Sequence, residues 1–330
     1  MNFSEYMNEW LYGKNGYYSK YKQIGKGGDF YTAVSSSKFF GGAIAKHIIS
    51  LVDEKFLAED TTICEIGAHH GYLLADIIEF IYTLRPQLLK TFSFAIVERF
   101  DNLQEQQQTY FKESFGDVIN LQQYKSLDEL SVNSAFFIAN EIFDAFACEL
   151  YYKGKIATVK DHKIEFDLEN DEMDTLAKKQ NRDRGELAID YKEFATSMYK
   201  SAKKFEFMSF DYGEMNARSD FSIRVYKDHE VIPLFDENIN LKELFANSDI
   251  TYDVVFEQVK EDFEKSGMKM VEFKAQLTAL VNMGIMELLE MLKDKTSQEL
   301  YAQELSKVKQ LIMPSFMGER FKMIRFRKEL

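Results

Sequence analysis

The stretch Thr61–Asp76, TTICEIGAHHGYLLAD, decides how the rest of the chain is read. A short apolar, β-branched run ends on Glu65, the turn Gly67-Ala68-His69-His70-Gly71 follows, and Leu73, Leu74, Ile77 and Ile78 then recur at helical spacing. A strand, a turn with glycine at both ends and a helix form the unit that carries a nucleotide-like ligand at the carboxyl edge of a parallel sheet. Glycine lets backbone approach the ligand without an intervening Cβ, and the helix N-terminus offers unpaired N–H groups. Glu65, Gly67, Ala68 and Gly71 are therefore candidate ligand-binding residues.

Working outward, Thr91–Glu98, TFSFAIVE, reads as a second buried strand ending on an acid. An acid at that tip is placed to hold the two hydroxyls of a ribose, which assigns Glu98. Ser134–Ala139, SAFFIA, is another core strand, and it runs into Asn140-Glu141-Ile142-Phe143-Asp144. Polar groups directly after a central strand lie over the ligand crevice, so Asn140, Glu141 and Asp144 are functional candidates. Upstream, Gly25-Lys26-Gly27-Gly28-Asp29-Phe30-Tyr31-Thr32 is a glycine-rich loop suited to close approach or to acting as a lid.

Composition narrows the class. With 330 residues, 45% of them hydrophobic, and only three prolines, the chain has the make-up of a large folded α/β protein. A net charge of −13 argues against nucleic acid or an anionic membrane surface as the partner. Cys64 and Cys148 make neither a disulfide framework nor a zinc spacing. The opening MNFSEYMNEWLYG is unlike a signal or transit peptide, and no apolar run is long enough to span a bilayer. A cytoplasmic protein without membrane insertion is expected.

Along the chain, residues 1–60 form an aromatic helical arm and the glycine-rich lid, and 61–148 the first half of a ligand-binding core. In 149–200 the alternation of LYYKGKIATVKDHKIEFDL predicts inserted antiparallel strands followed by helix. Residues 201–330 complete the core with a helical elaboration. The pattern places a helix cap at Ser35-Ser36-Ser37, a short strand at Val118–Leu121 and core methionines at Met283, Met286 and Met291. It also makes Phe321–Phe326, FKMIRF, a basic edge strand.

The order of these motifs resembles the MidA-like, mitochondrial complex I assembly-factor type of S-adenosylmethionine-dependent methyltransferase. Gly28-Asp29-Phe30-x-Thr32, Glu65-Ile66-Gly67 to Gly71, and Asn140-Glu141-x-Phe143-Asp144-Ala145 carry the resemblance, with Asp211-Tyr212-Gly213, Arg224-x-Tyr226-x-x-His229, Asp249-Ile250-Thr251 and Met317-Gly318-Glu319-x-Phe321-Lys322. It implies a class I, Rossmann-like methyltransferase fold, a mostly parallel seven-stranded sheet with an inserted substrate-facing portion. It also implies S-adenosyl-L-methionine as cofactor and methylation of a partner protein's arginine, in relatives on a respiratory complex I subunit. Gly28 then joins the cofactor residues, and Phe30, Phe143, Asp211, Tyr212, Arg224 and His229 face the substrate. Family members generally carry Gly-Pro-Gly-Arg-Gly where this chain has Gly67-Ala68-His69-His70-Gly71, and Ser-Pro-Glu where it has Ala33-Val34-Ser35.

An arginine nucleophile is a protonated, delocalised guanidinium, and forked carboxylates would hold two nitrogens and leave the third to react. Glu141 and Asp144, with Asp29 as a third, are the acids for that role. Two other readings compete: a binding or assembly factor that kept the fold without catalysis, and a nicotinamide-dependent oxidoreductase. The latter requires a second nucleotide-binding half, which the sequence does not display.

Overall fold

A computed structural model describes residues 1–19 and 32–329 of the chain, so Gly28, Asp29 and Phe30 lie outside the described residues. The chain divides into two units, one made of residues 1–31, 142–194 and 212–262, the other of 32–141, 195–211 and 263–330.

The second unit is built on seven strands: β1 (Thr62–Ile66), β2 (Ser93–Val97), β3 (Leu121–Tyr124), β4 (Val132–Asn140), β5 (Ala202–Glu214), β6 (Lys269–Ala275) and β7 (Phe321–Lys328). Across the sheet their order is β6-β7-β5-β4-β1-β2-β3. β1 pairs in parallel with both β2 and β4, β4 pairs in parallel with β5, and β6 with β7 is antiparallel. β1 is buried along its whole length, which is why its apolar run is continuous rather than alternating. Three helices follow from 3.6-residue patterning: α1 (Phe39–Asp53), α2 (Tyr72–Leu84) and α3 (Asp101–Phe115). The expected mostly parallel sheet is thus present, its path of seven strands joined by an eighth short one, Val254–Val255, parallel to the end of β5. The antiparallel β6/β7 pair stands where the nicotinamide reading needs a second parallel half.

The first unit holds two antiparallel sheets. One contains Cys148–Tyr152, Lys155–Lys160, Lys163–Glu169 and Arg184–Ala188, and the other Arg224–Lys227, Glu230–Pro233 and Asp249–Thr251. The N-terminal helix Phe3–Tyr12 is tied here, with Trp10 Nε1 donating to the Ser248 carbonyl at 2.7 Å and Tyr6 ring-packed on Phe245.

Several local expectations are corrected. Of the serine run, Ser37 Oγ accepts the Phe39 N–H at the start of α1 at 3.3 Å, although the N-cap position itself is Lys38; the preceding short helix Ala33–Ser36 is capped by Thr32, whose side chain accepts from the Ser35 N–H. The third strand begins at Leu121, leaving Val118 78% exposed. Met283 is in the core, but Met286 and Met291 are exposed, because Ile285, Leu288 and Leu289 occupy the buried face of their helix. The Phe321–Phe326 segment belongs to β7, which is internal, between β5 and β6.

The basic residues of β7 are therefore not edge protection. They neutralise Glu206 of β5, which is fully buried. His47 Nε2 lies 2.6 Å from its Oε1, Arg325 Nη1 2.9 Å from the same oxygen, and Arg327 Nε 2.7 Å from Oε2. Burial alone would raise the carboxyl pKa; the His47 hydrogen bond and the two guanidinium groups overcome it and leave it at about 2, below the ordinary 4.5. A depressed acid stabilises above its unfolded pKa and loses that contribution as pH falls through the folded value. Glu206→Gln is expected to cost about 3–5 kcal/mol at pH 7, as for breaking a buried ion pair. In denaturant melts its deficit against wild type should shrink as pH drops from 4.5 towards 2. A deficit constant across that window would contradict the assignment.

Candidate active site

The hairpin between β1 and α2 is shaped by backbone first. Gly67, His69 and Gly71 all take left-handed φ, at 67°, 48° and 78°. The Gly67 N–H donates to the Val97 carbonyl of β2 at 3.0 Å, and the Gly71 N–H returns to the Ala68 carbonyl at 2.8 Å. A Cβ on Gly71 would sit 3.0 Å from Phe111 and 3.2 Å from Ile96, so this glycine answers both to conformation and to packing on α3. Gln107 of α3 braces the turn by donating to the His69 carbonyl at 2.8 Å.

Gly71 caps α2 without a side chain, and the acid of β1 makes up the loss. Glu65 accepts the Leu74 N–H in the first turn of α2 at 2.9 Å. Burial pushes the Glu65 carboxyl up to about 8; the Leu74 hydrogen bond resists this, and the charges of Asp76 and Glu98 add to it. Asp76, to which the sequence analysis gave no role, rises to about 7 through burial and the nearby Glu79. Glu98 is buried just past β2 and also titrates high because of burial, opposed by N–H groups of Phe100, Arg99 and, from the hairpin, His69. The expected ribose acid and the glycine hairpin are thus neighbours. His69 is held neutral, its pKa lowered to about 3 by burial and by His70.

At the carboxyl end of β4, Asn140 pairs in register with Phe210, and the Glu141 N–H donates to the Phe210 carbonyl at 2.8 Å. Glu141 is held at φ 54°, a strained conformation for a residue with a Cβ. Asn140 Nδ2 donates to Glu141 Oε1 at 2.7 Å. The buried Asn140 Oδ1 and His69 Nδ1 find no hydrogen-bond partner among the described residues. Two orphaned polar atoms, a glycine hairpin and a buried acid just past the next strand are compatible with an adenosyl amino-acid cofactor. Asp211, in the same unit, is fully buried near the end of β5.

In the first unit, Phe143–Ala145 forms a 3₁₀ turn. Phe143 is fully buried against Phe146, Tyr191 and Phe194, so it anchors this turn. Asp144 beside it is 4% exposed, and the Tyr212 hydroxyl donates to its Oδ2 at 2.5 Å while hydrogen-bonded to Thr251 Oγ1 at 2.5 Å. Arg224 lies with Cζ 4.9 Å from the Tyr212 ring centroid and donates from Nη1 to Asp253 Oδ1 at 2.7 Å. Gly213 follows because Val254 pairs alongside it, and a Cβ there would lie 2.1 Å from the Val254 carbonyl oxygen. His229 is exposed, at the tip of the Arg224–Lys227/Glu230–Pro233 hairpin. The sequence reading missed Asp253, whose relation to Asp144 spans too much chain to leave a local pattern.

Gly71→Ala should destabilise the protein by about 1–2 kcal/mol, the cost of a left-handed residue with a Cβ, in chemical denaturation. An unchanged midpoint would contradict the role given to that φ.

The profile of an S-adenosyl-L-methionine-dependent methyltransferase family matches residues 43–274, more than half of the chain. The protein arginine methyltransferase NDUFAF7, mitochondrial, of Danio rerio is 24% identical over 363 residues, covering 97% of this chain and 82% of that protein. Its Homo sapiens counterpart is 26% identical over 353 residues, covering 96% and 78%. The crystal structure of a protein from Burkholderia thailandensis bound to S-adenosyl-homocysteine superposes with a TM-score of 0.85 at 21% identity, covering 99% of this chain and 88% of the other. The fold is that of class I methyltransferases, and the cofactor is S-adenosyl-L-methionine. The chain belongs to the S-adenosyl-L-methionine-dependent methyltransferase family whose profile it matches.

Proposed function

We propose that this methyltransferase transfers a methyl group to an arginine of a partner protein. The observation that carries the reading is the Asn140–Glu141 pair at the carboxyl end of β4, the strand parallel and adjacent to the one that ends in the hairpin. The names of the Danio rerio and Homo sapiens relatives, protein arginine methyltransferases, support it. A complex I subunit as substrate and a cytoplasmic location belong to the same proposal.

When bound, the cofactor supplies a methyl carbon already activated by its sulfonium. Gly67, Ala68 and Gly71 give its amino-acid part backbone contact, Glu98 accepts from the ribose hydroxyls, and Asn140 orients the amino-acid end. Gly28 is assigned to the same cradle from sequence. Glu65 keeps the cradle in shape through Leu74. The protein's main tasks are then alignment and exclusion of water. From their place in the sequence, Glu141 and Asp144 are assigned to hold two nitrogens of the guanidinium in forked hydrogen bonds and favour positive charge there, which would leave the third nitrogen the better nucleophile. Asp29 is the third acid, with Phe30, Asp211, Tyr212, Arg224 and His229 on the substrate side and Phe143 supporting Asp144 by packing.

A second reading, a protein that kept the fold and lost catalysis, has one observation in its favour: His69 takes a strained left-handed φ of 48° where family members generally carry glycine.

Glu98→Ala should weaken S-adenosyl-homocysteine binding about 10–100-fold in calorimetry, the value of hydrogen bonds to a charged group, with the fold intact by circular dichroism. Unchanged affinity would remove the ribose assignment, and no affinity in the wild type would favour the non-catalytic reading. Glu141→Gln should keep the cofactor but abolish the methylarginine that mass spectrometry finds in partner proteins pulled down from cells carrying the gene. Methylarginine persisting with this variant would refute the clamp.

A further inference from the structure

A carboxylate that is to grip a guanidinium must be ionised, and Asp144 occupies a place that opposes ionisation. It is 4% exposed, and burial pushes its pKa up to about 6, with Asp253 adding to the rise. The Tyr212 hydrogen bond and the Arg224 charge pull the other way. Among the described residues, Tyr18 and Tyr252 also interact with Asp144; both are buried and neutral, their pKa values raised well above the ordinary value by burial, with Asp249 adding to the rise at Tyr18 and Tyr191 and Cys148 at Tyr252. Tyr18 in turn donates to both oxygens of Asp249, at 3.1 and 3.0 Å. Arg224 is the cation that acts on Asp144, and its position is closely fixed. Nε donates to the Tyr226 hydroxyl at 2.8 Å, and Nη1 to the Ser222 carbonyl at 3.0 Å and to Asp253 at 2.7 Å. Burial works against its charge, but Tyr212 and Asp253 more than compensate and keep it protonated. Asp253 is shared with Arg218, so its negative charge is balanced from two sides.

We propose that Arg224 is a positioning residue that keeps Asp144 ionised, acting across the face of Tyr212, whose hydroxyl is hydrogen-bonded to that carboxylate. A cation on the ring face makes the phenol a stronger donor, and its field reaches the buried acid through a low-dielectric path. Loss of Arg224 removes that charge and leaves Asp253 balanced by Arg218 alone, so both changes favour protonated Asp144.

This inference deepens the clamp reading and depends on it for its functional meaning, so its test uses no substrate. Carboxyl carbons are followed by NMR against pH in the S-adenosyl-homocysteine-loaded enzyme, with Asp144→Asn identifying the Asp144 resonance. Arg224→Gln should raise the Asp144 midpoint by about one unit or more. Tyr212→Phe, which keeps the ring and removes only the hydroxyl, should raise it as well, and it decides the matter if Arg224→Gln does not fold. A folded Arg224→Gln or Tyr212→Phe protein whose Asp144 titrates as in wild type overturns the proposal. Failure of the clamp reading would leave these titrations unaffected and show only as methyl transfer surviving in Asp144→Asn.

Discussion

The single hydrogen bond from the Leu74 backbone to Glu65 holds the end of β1 against the start of α2. Three left-handed residues in the hairpin leave the first turn of that helix without a capping side chain, and Glu65 supplies the acceptor from the strand below. The bond is enclosed, so it is little weakened by water, and it obliges the chain to reverse within the five residues Gly67–Gly71. From that reversal follow the packing of Gly71 on Phe111, the Gln107 brace and the approach of Glu98 to the hairpin.

The same enclosure sets the electrostatics. Glu65, Asp76 and Glu98 are all held short of easy ionisation by burial, with neighbouring acids adding to the rise at Glu65 and Asp76. In the proposed binding mode, the positive charge of the cofactor's sulfonium and ammonium groups would favour the ionised form of such acids. At the other end of β5 the solution is different, since Glu206 faces two guanidinium groups and a histidine and stays ionised. The same strand thus carries a paired acid whose role is stability.

Much of this was legible in the sequence because it is local. The apolar run before Glu65, the glycines at 67 and 71 and the acid closing TFSFAIVE each declare themselves within a few residues, and the structure gathers them at one sheet edge. What escaped was long-range. Nothing near FKMIRF reveals that Arg325 and Arg327 answer Glu206, so a basic strand looked like an edge. Asp253 and Asp144 come together across a long stretch of chain, linked through Arg224 and Tyr212, and Met286 and Met291 needed the packed helix to show which face is buried. The glycine of Asp211-Tyr212-Gly213 is explained by the approach of Val254, a reason no motif states.

The central claim is that the hairpin after β1 and the acid after β2 together bind the cofactor. A crystal structure of the chain with S-adenosyl-homocysteine tests it most directly. The account predicts density for the ligand across Gly67–Gly71 with both ribose hydroxyls on the Glu98 carboxylate. Ligand bound elsewhere, or a ribose turned away from Glu98, would contradict it.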